Sequence, residues 1–256
     1  MGQVSLQEQF TQLNITRGLP QGAFVSRSHY LAVARGAGGR VSVDGVAYTL
    51  EPGDVLLLPP FRVCYSHAGC EEFLAFSFGT MALCLADPRF PALLSRTARF
   101  DARSMDEGLS MMVASLGELV TEGQEITAPL CRLRLTELLL RLASATPDMP
   151  PETPVSKAVL RLTERLDEEV TLDRVASEVG VTKFHLCRLF RKESGYTPHV
   201  YFGYARVARV LSMEAGGLSL ATLARAVGFR DYSTFYRTYK RVTGQAPVPR
   251  GEDKTI

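Results

Sequence analysis

The chain lacks any apolar stretch of the roughly 18 residues that a membrane-spanning helix needs. Its longest candidates, VLLLPP from Val55 and LCRLRLTELLLRLA from Leu130, are short or interrupted by arginines. The beginning of the chain, MGQVSLQEQF, also lacks the basic flank and the apolar block of a secretory signal. We therefore expect a cytoplasmic protein that is not inserted in a membrane.

Cysteine is sparse, and its five positions are irregularly spaced. They are Cys64, Cys70, Cys84, Cys131 and Cys187. An odd number at irregular spacing does not indicate a disulfide framework, so a reducing compartment fits best. Cys64 and Cys70 are close in sequence, which leaves a thiol sensor open, although unpaired cysteines are usually small buried apolar groups.

Lysine is missing from the first 150 residues. These carry 12 arginines against 15 acidic residues, a net charge of −3, whereas residues 151–256 carry 17 basic against 12 acidic residues, a net charge of +5. Within them, residues 171–250 carry 13 basic and 5 acidic residues. Basic charge concentrated in one third of the chain is typical of a protein that binds a polyanion, and a solvated basic surface is the ordinary alternative.

Proline marks a division of the chain at residues 144–154, which read SATPDMPPETP. Because proline removes a backbone donor and favours extended geometry in the residue before it, this segment is predicted to be a linker. The linker separates a first domain, residues 1–143, from a second domain, residues 155–250. Thr153 followed by Pro154 is a typical helix start.

Residues 25–79 have the pattern of short strands separated by glycine and proline turns. Asp44-Gly45, between alternating apolar residues, predicts a tight hairpin, because this pair tolerates positive φ angles. After Phe100 the apolar spacing becomes helical, and two helices are predicted. Their apolar positions are Leu109, Met112, Val113, Leu116, Leu119 and Val120, then Leu130, Leu133, Leu135, Leu138, Leu139 and Leu142. We expect an antiparallel β-barrel or a sandwich with two helices. The apolar faces within residues 109–142 are predicted to form a homodimer interface, the core of the domain, or both.

One pattern occurs twice in the basic part of the chain, at Val179–Gly195 and at Val227–Gly244. Each copy begins with Val-Gly, breaks for two or three residues, continues as an apolar run at helical spacing with several bases, and ends at glycine. A short helix, a glycine turn and a second helix make a helix-turn-helix, whose second helix fits the DNA major groove. Residues 155–250 are thus predicted to be all-α with a double helix-turn-helix, and the whole chain to be a two-domain α+β protein.

Helical spacing predicts the outward side chains of each copy. The second helix of the first copy is capped by Thr182 and ends near Ser194, and that of the second copy is capped by Asp231 and ends near Thr243. The outward residues are Lys183, Phe184, Cys187, Arg188 and Arg191 in the first, and Tyr232, Ser233, Tyr236, Arg237 and Lys240 in the second. The helix between the copies can space the two readers by about 34 Å, one duplex turn.

Residues 155–250 resemble the DNA-binding domain of AraC family transcriptional regulators. The resemblance is carried by TLDRVASEVGVTKFHLCRLFRKESGYTPHVYF, by the helix bearing Arg206, and by GF-x-D-x-S-x-F-x-R-x-Y-K from Gly228. It implies that seven residues approach base edges, namely Phe184, Cys187, Arg188, Tyr232, Ser233, Thr234 and Arg237. Two positions depart from the family pattern: Cys187 stands where a hydrogen-bonding side chain is common, and Tyr239 replaces the usual phenylalanine.

The segment VARGAGGRVSVDGVAYTLEPGDVLLLPP resembles a cupin-type sensing domain. The resemblance implies that Arg35 helps to bind a small-molecule effector, and strand parity places Arg27, His29 and Arg35 on one face. Cupin enzymes bind a transition metal through two or three histidines and a carboxylate. Neither His29 nor His67 belongs to a His-x-His pair, and Cys64 stands where such enzymes place a histidine, so we expect no metal, no cofactor and no enzymatic activity.

These patterns together predict a sequence-specific transcriptional regulator. Its partners are expected to be double-stranded promoter DNA, RNA polymerase and a small-molecule effector. Control by a protein partner, or by cysteine oxidation, remains an alternative to the small molecule.

Overall fold

The computed structural model describes residues 13–67, 69–78, 93–121, 128–148, 151–168, 170–213 and 218–247. Cys84 lies outside these residues, and so do the side chains of Leu116, Leu119, Val120, Leu130 and Cys131. Within the described ranges, no helix is long and apolar enough to cross a membrane.

In the part of the chain that the structure describes, nine strands form two antiparallel sheets. They are β1 Leu13–Arg17, β2 Gly22–Val25, β3 His29–Val33, β4 Gly39–Val43, β5 Val46–Leu50, β6 Val55–Leu58, β7 Val63–Ser66, β8 Leu74–Phe78 and β9 Ala98–Phe100. The five-stranded sheet has the order β1-β8-β3-β6-β9, and the four-stranded sheet has the order β2-β7-β4-β5. No strand pairing among the described residues joins one sheet to the other. The predicted barrel is therefore not closed, and the described strands form a sandwich of two antiparallel sheets, which is the alternative that the strand pattern left open.

The five-stranded sheet is covered on both faces, which explains why β3 and β6 are almost continuously apolar. Ala32, Leu56 and Ala75 face the four-stranded sheet, where they pack with Val41 and Leu50. The opposite face packs against two helices, α1 Glu107–Thr121 and α2 Ala128–Leu142. Its buried residues include Leu31, Val33, Leu57, Phe76 and Phe78 from the sheet and Leu109, Val113, Leu135, Leu138 and Leu139 from the helices.

The hairpin between β4 and β5 turns at Asp44 and Gly45, as the sequence predicts. Both residues have positive φ, 46° and 77°, which is the backbone conformation of a two-residue hairpin turn that matches the twist of its strands. Gly45 is also needed because of a close neighbour: a Cβ atom there would lie 2.5 Å from Cγ2 of Val159, in the first helix after the linker. The hairpin turn thus lies directly against the second half of the chain.

Among the described residues after the linker there are six helices. They are α3 Pro154–Thr163, α4 Leu172–Glu178, α5 Lys183–Ser194, α6 Pro198–Met213, α7 Leu220–Ala226 and α8 Tyr232–Thr243. Five of them begin with a side-chain cap, from Thr153, Thr171, Thr182, Ser219 and Asp231. The predicted caps Thr153, Thr182 and Asp231 and the predicted ends of α5 and α8 are confirmed.

The proline-rich segment is fixed at two points. Asp148 forms a β-bridge with Arg99 of β9 and accepts a hydrogen bond from its Nη1 at 3.0 Å. At the other end, Thr153 and Ser156 form a capping box that starts α3 at Pro154. The core is also continuous across this segment, because Val25 and Val63 of the four-stranded sheet belong to the same apolar cluster as the buried residues of α3 to α8.

Candidate nucleic-acid interface

The two copies of the repeated pattern fold alike. In the first, Gly180 has φ of 75° and the N–H of Val181 donates to the carbonyl oxygen of Ala176. In the second, Gly228 has φ of 90° and the N–H of Phe229 donates to the carbonyl oxygen of Ala224. Each glycine takes up a left-handed conformation that other residues adopt at a cost. Because the two turns have similar geometry, α5 is oriented relative to α4 as α8 is oriented relative to α7.

Helix α5 has a buried face and an exposed face, as its spacing predicts. Leu186 and Phe190 are fully buried, and Leu189 is half-buried. The predicted outward residues are exposed apart from Cys187, which is half-buried; they are Lys183, Phe184, Arg188 and Arg191. Phe184 is 88% exposed, which is unusual for a large apolar side chain. The helix therefore presents two arginines and an uncovered aromatic ring together.

Helix α8 repeats this arrangement. Its buried residues are Phe235, Tyr239 and Val242. Its exposed residues are Tyr232, Ser233, Thr234, Tyr236, Arg237 and Lys240. Tyr232 and Tyr236 are 43% and 38% exposed, so each has a ring edge available to a partner. The described outward surface of α8 carries the same mixture of aromatic and basic groups as that of α5.

Lys183 is not an unpaired charge. Its Nζ lies 2.8 Å from Oδ2 of Asp173 in α4, and this hydrogen bond raises the pKa of the lysine. A nucleic-acid phosphate would compete with Asp173 for this side chain. Asp231 differs, because its carboxylate accepts from the N–H and the hydroxyl of Thr234, which lowers the pKa of the aspartate and fixes it as a cap.

Helix α6 connects the two copies, and Arg206 on it ties them together. Nε of Arg206 donates to the carbonyl oxygen of Leu166 at 2.7 Å, before the first copy. Its guanidinium lies 4.2 Å from the ring centroid of Phe202 and 5.8 Å from that of Phe229 in the second copy. Burial lowers the pKa of Arg206. Helical spacing did not predict these contacts of Arg206, since a single arginine on an amphipathic helix normally points to solvent.

The sandwich contacts the helices through tyrosines that sequence reasoning also missed. The hydroxyl of Tyr196 donates to the carbonyl oxygen of Cys64, and the hydroxyl of Tyr201 donates to Oδ1 of Asp44 at 3.2 Å. Asp44 also accepts from Nη1 of Arg62 at 3.2 Å. Burial raises the pKa of Asp44, and Arg62 opposes that effect. The hairpin turn of the sandwich is therefore an acceptor for donors from both halves of the chain.

The residues predicted to bind an effector do not come together. His29 is buried and stacked on Phe78 with ring centroids 5.5 Å apart, and its Nε2 lies 3.1 Å from the carbonyl oxygen of Leu94. Burial lowers the pKa of His29. Arg35 is exposed and lines a pocket of about 370 Å³ with Gly36, Ser110 and Val113, while Arg27 is exposed and His29 is not part of that lining.

The described residues give little support for a metal site or for a redox-sensitive cysteine. They contain no group of three or more histidine, cysteine or acidic residues that could hold a metal ion. Cys64, Cys70 and Cys187 form no disulfide. Burial raises the pKa of the Cys64 thiol well above its ordinary value, which keeps the sulfur protonated and poorly reactive. Control by oxidation of Cys64 is therefore disfavoured.

Comparisons with known proteins bear on this surface. Residues 175–248 match the family model described as a helix-turn-helix domain. The arabinose operon regulatory protein of Salmonella typhimurium is 25% identical over 222 residues, which cover 82% of this chain and 78% of that protein. The bifunctional transcriptional activator/DNA repair enzyme Ada of Escherichia coli is 36% identical over 84 residues, 33% of this chain and 23% of that protein.

The structure of ToxT from Vibrio cholerae aligns over 92% of this chain and 96% of that chain, with 11% sequence identity and a TM-score of 0.41. The family match covers both outward helices, and the similarity to the arabinose regulator extends over both halves of the chain. These findings identify a DNA-binding regulator of transcription and not an enzyme. Residues 175–248 belong to the helix-turn-helix domain family, and the chain is similar to the arabinose operon regulatory protein over both of its halves.

Proposed function

We propose that this regulator reads two successive segments of the major groove of promoter DNA, one with α5 and one with α8. The observation that carries the proposal is the equivalence of the two helices. Each has 12 residues, begins at a side-chain cap, follows a glycine turn and exposes a basic and aromatic face. The major groove admits one α-helix, so two helices on one spacer suit two groove segments about 34 Å apart.

The proposed readers of base edges lie in the first half of each helix, and all of them are exposed except the half-buried Cys187. They are Phe184, Cys187 and Arg188 in α5 and Tyr232, Ser233, Thr234 and Arg237 in α8. Lys183, Arg191 and Lys240 are proposed to contact phosphates, because a lysine or a peripheral arginine supplies charge more than geometry. Among the readers, Arg188 and Arg237 can each form two hydrogen bonds with guanine O6 and N7.

The test uses an operator obtained by sequencing the genomic fragments that the purified full chain retains. Arg188→Ala and Arg237→Ala should each weaken binding by about 1–3 kcal/mol and relax the preference at neighbouring base pairs. Lys240→Ala should weaken binding to all DNA sequences alike. It should also reduce the slope of log affinity against log salt concentration by about one unit. If both arginine variants protect the operator as the parent does, the assignment of readers is wrong.

We also propose that residues 155–250 are the DNA-binding unit and that residues 1–143 are a sensing unit. A fragment of residues 151–256 should retain operator binding, and its total loss in a folded fragment would contradict this division. The contact between Asp44 and Tyr201 gives the sensing unit a direct route to α6, the spacer between the readers. An effector that binds one placement of the sandwich more tightly would shift the equilibrium between the two placements. The size of that shift is set by the difference between its affinities for them.

The proposed effector site is the pocket that Arg35 lines, because a guanidinium at the edge of an apolar cavity can bind a small polar molecule. Arg35→Ala should abolish the response to effector and leave operator binding by the unliganded protein unchanged. Residues 109–142 are the proposed dimer interface. Within them, Met111 and Leu133 are 67% and 66% exposed, an apolar surface that a second subunit would cover. RNA polymerase is the proposed further partner.

A further inference from the structure

Helices α5 and α8 each contain a similar hydrogen bond between two of their own side chains, which neither the repeat nor the family pattern requires. On α5, Nη2 of Arg188 lies 3.1 Å from Nδ1 of His185, three residues earlier. On α8, Nη2 of Arg237 donates to Oγ1 of Thr234 at 3.4 Å, again three residues earlier. In each helix the arginine is the sixth residue and its partner is the third.

The third residue of each helix is itself anchored. The N–H of His185 donates to Oγ1 of Thr182 at 3.2 Å, and the N–H of Thr234 donates to Oδ1 of Asp231 at 2.7 Å. Both acceptors are the caps of their helices. The backbone of the third residue is therefore fixed by the cap, and its side chain is held at a defined distance from the arginine.

We propose that His185 and Thr234 are positioning residues, which hold Arg188 and Arg237 in the rotamers that reach the bases. A guanidinium only donates, so Nδ1 of His185 is the acceptor and the imidazole carries its proton on Nε2. An arginine loses side-chain freedom when it forms a fixed pair of hydrogen bonds, and an arginine that is already held loses less. The inference rests on the proposed function, since it assumes that these arginines read DNA.

The two helices hold their arginines in different ways. Oγ1 of Thr234 accepts from Arg237 and donates to Oδ2 of Asp231 at 2.9 Å, so Arg237 is connected to a carboxylate through one hydroxyl. Arg188 is held by the imidazole of His185, which carries no negative charge. Removal of His185 therefore releases Arg188 completely, whereas removal of Thr234 leaves the negative charge of Asp231 near Arg237.

The experiment measures the affinity of the full chain for the selected operator and for all of its single-base variants. His185→Ala should weaken binding about five- to tenfold and relax the preference only at the base pairs that Arg188→Ala relaxes. Combined with Arg188→Ala, it should add less than about twofold, because the group that it positions is already gone. His185→Asn, which keeps an acceptor, should recover much of the affinity.

Matched controls separate positioning from general damage. His199→Ala replaces an exposed histidine on α6. Thr222→Ala replaces the third residue of α7, a helix that is capped in the same way but is not proposed to enter the major groove. Both should bind as the parent does. Thr234→Ala, which also removes a proposed reader, should relax the preference at the base pairs assigned to Arg237 and at those that Thr234 itself contacts. Thermal unfolding of each variant verifies that it is folded.

Two results would overturn the inference. One is a His185→Ala protein with the parent's base preferences, and the other is a His185→Ala effect that persists at full size when Arg188 is already alanine. The failure of the proposed function has a different signature, since Arg188→Ala and Arg237→Ala would then leave the operator profile unchanged.

Discussion

The hydroxyl of Tyr201 donates a hydrogen bond to Oδ1 of Asp44, 3.2 Å away and 157 residues earlier in the chain. Tyr201 is fully buried on the spacer helix, and Asp44 forms the hairpin turn of the sandwich. The same oxygen accepts from the N–H of Val63 at 3.1 Å. The contact therefore joins the part of the chain that spaces the readers to the part proposed to sense the effector.

Replacing Tyr201 with phenylalanine should loosen this contact without leaving a cavity. A hydrogen bond to a charged acceptor contributes about 1.5–3 kcal/mol, so we expect Tyr201→Phe to lower the free energy of unfolding by about that amount. Urea unfolding measures the loss, and proteolysis within residues 144–154 should become faster. Tyr236→Phe is the control, because Tyr236 is exposed on α8. Equal destabilisation by both variants would mean that the contact contributes nothing specific.

The buried tyrosines also predict how stability depends on alkaline pH. Burial raises the pKa of Tyr196 and Tyr201, and it raises that of Tyr48 to about 12. An unfolded tyrosine titrates near pH 10. Because the folded pKa is the higher one, this contribution to stability is complete below about pH 10 and is lost as the pH rises above that value. Unfolding free energies measured between pH 7 and 11 should be level at first and then fall.

Tyrosinate absorbance provides the independent measurement. Part of the absorbance change from the nine tyrosines should appear only when the helical circular dichroism is lost. If all nine ionise together near pH 10 while the protein stays folded, the buried phenols do not stabilise it.

Local chemistry explains which features the sequence could predict. A cap such as Thr182 or Asp231 acts within three residues, and the Asp44-Gly45 turn needs only its own backbone, so short patterns identify both. The exposed faces of α5 and α8 follow from helical periodicity for the same reason. These features place the candidate interface without knowledge of the rest of the fold.

Features that depend on distant partners were not predictable. Alternating strands occur in barrels and in sandwiches alike, so the pattern in residues 25–79 did not distinguish them. Strand β3 is buried almost throughout, and parity alone could not tell that His29 stacks on Phe78 and does not line the pocket of Arg35. The partners of Tyr196 and Tyr201 are more than 130 residues away, a separation at which no periodic pattern operates.

Gly228 should tolerate alanine much less well than Gly180, although the two glycines hold equivalent turns. Both have positive φ, which costs an alanine about 1 kcal/mol. A Cβ atom at Gly228 would also lie 2.6 Å from the carbonyl oxygen of Leu166 and 2.7 Å from Nη2 of Arg206, whereas one at Gly180 meets nothing within 4 Å. We expect Gly228→Ala to lower the unfolding free energy by about 1–3 kcal/mol more than Gly180→Ala does. Similar values in thermal melts would contradict the tie through Arg206.

Two phenylalanines on α5 should separate binding from stability. Phe184 is 88% exposed, so Phe184→Ala should change the unfolding free energy by less than about 0.5 kcal/mol. Phe190 is fully buried, and Phe190→Ala should cost about 3–5 kcal/mol. Because an apolar ring can contact the methyl group of thymine, Phe184→Ala should weaken operator binding and reduce the preference for an A·T pair at one position. Urea unfolding and a single-base affinity profile test both parts. An exposed ring whose loss alters neither measurement would have no role in reading, and its exposure would be incidental.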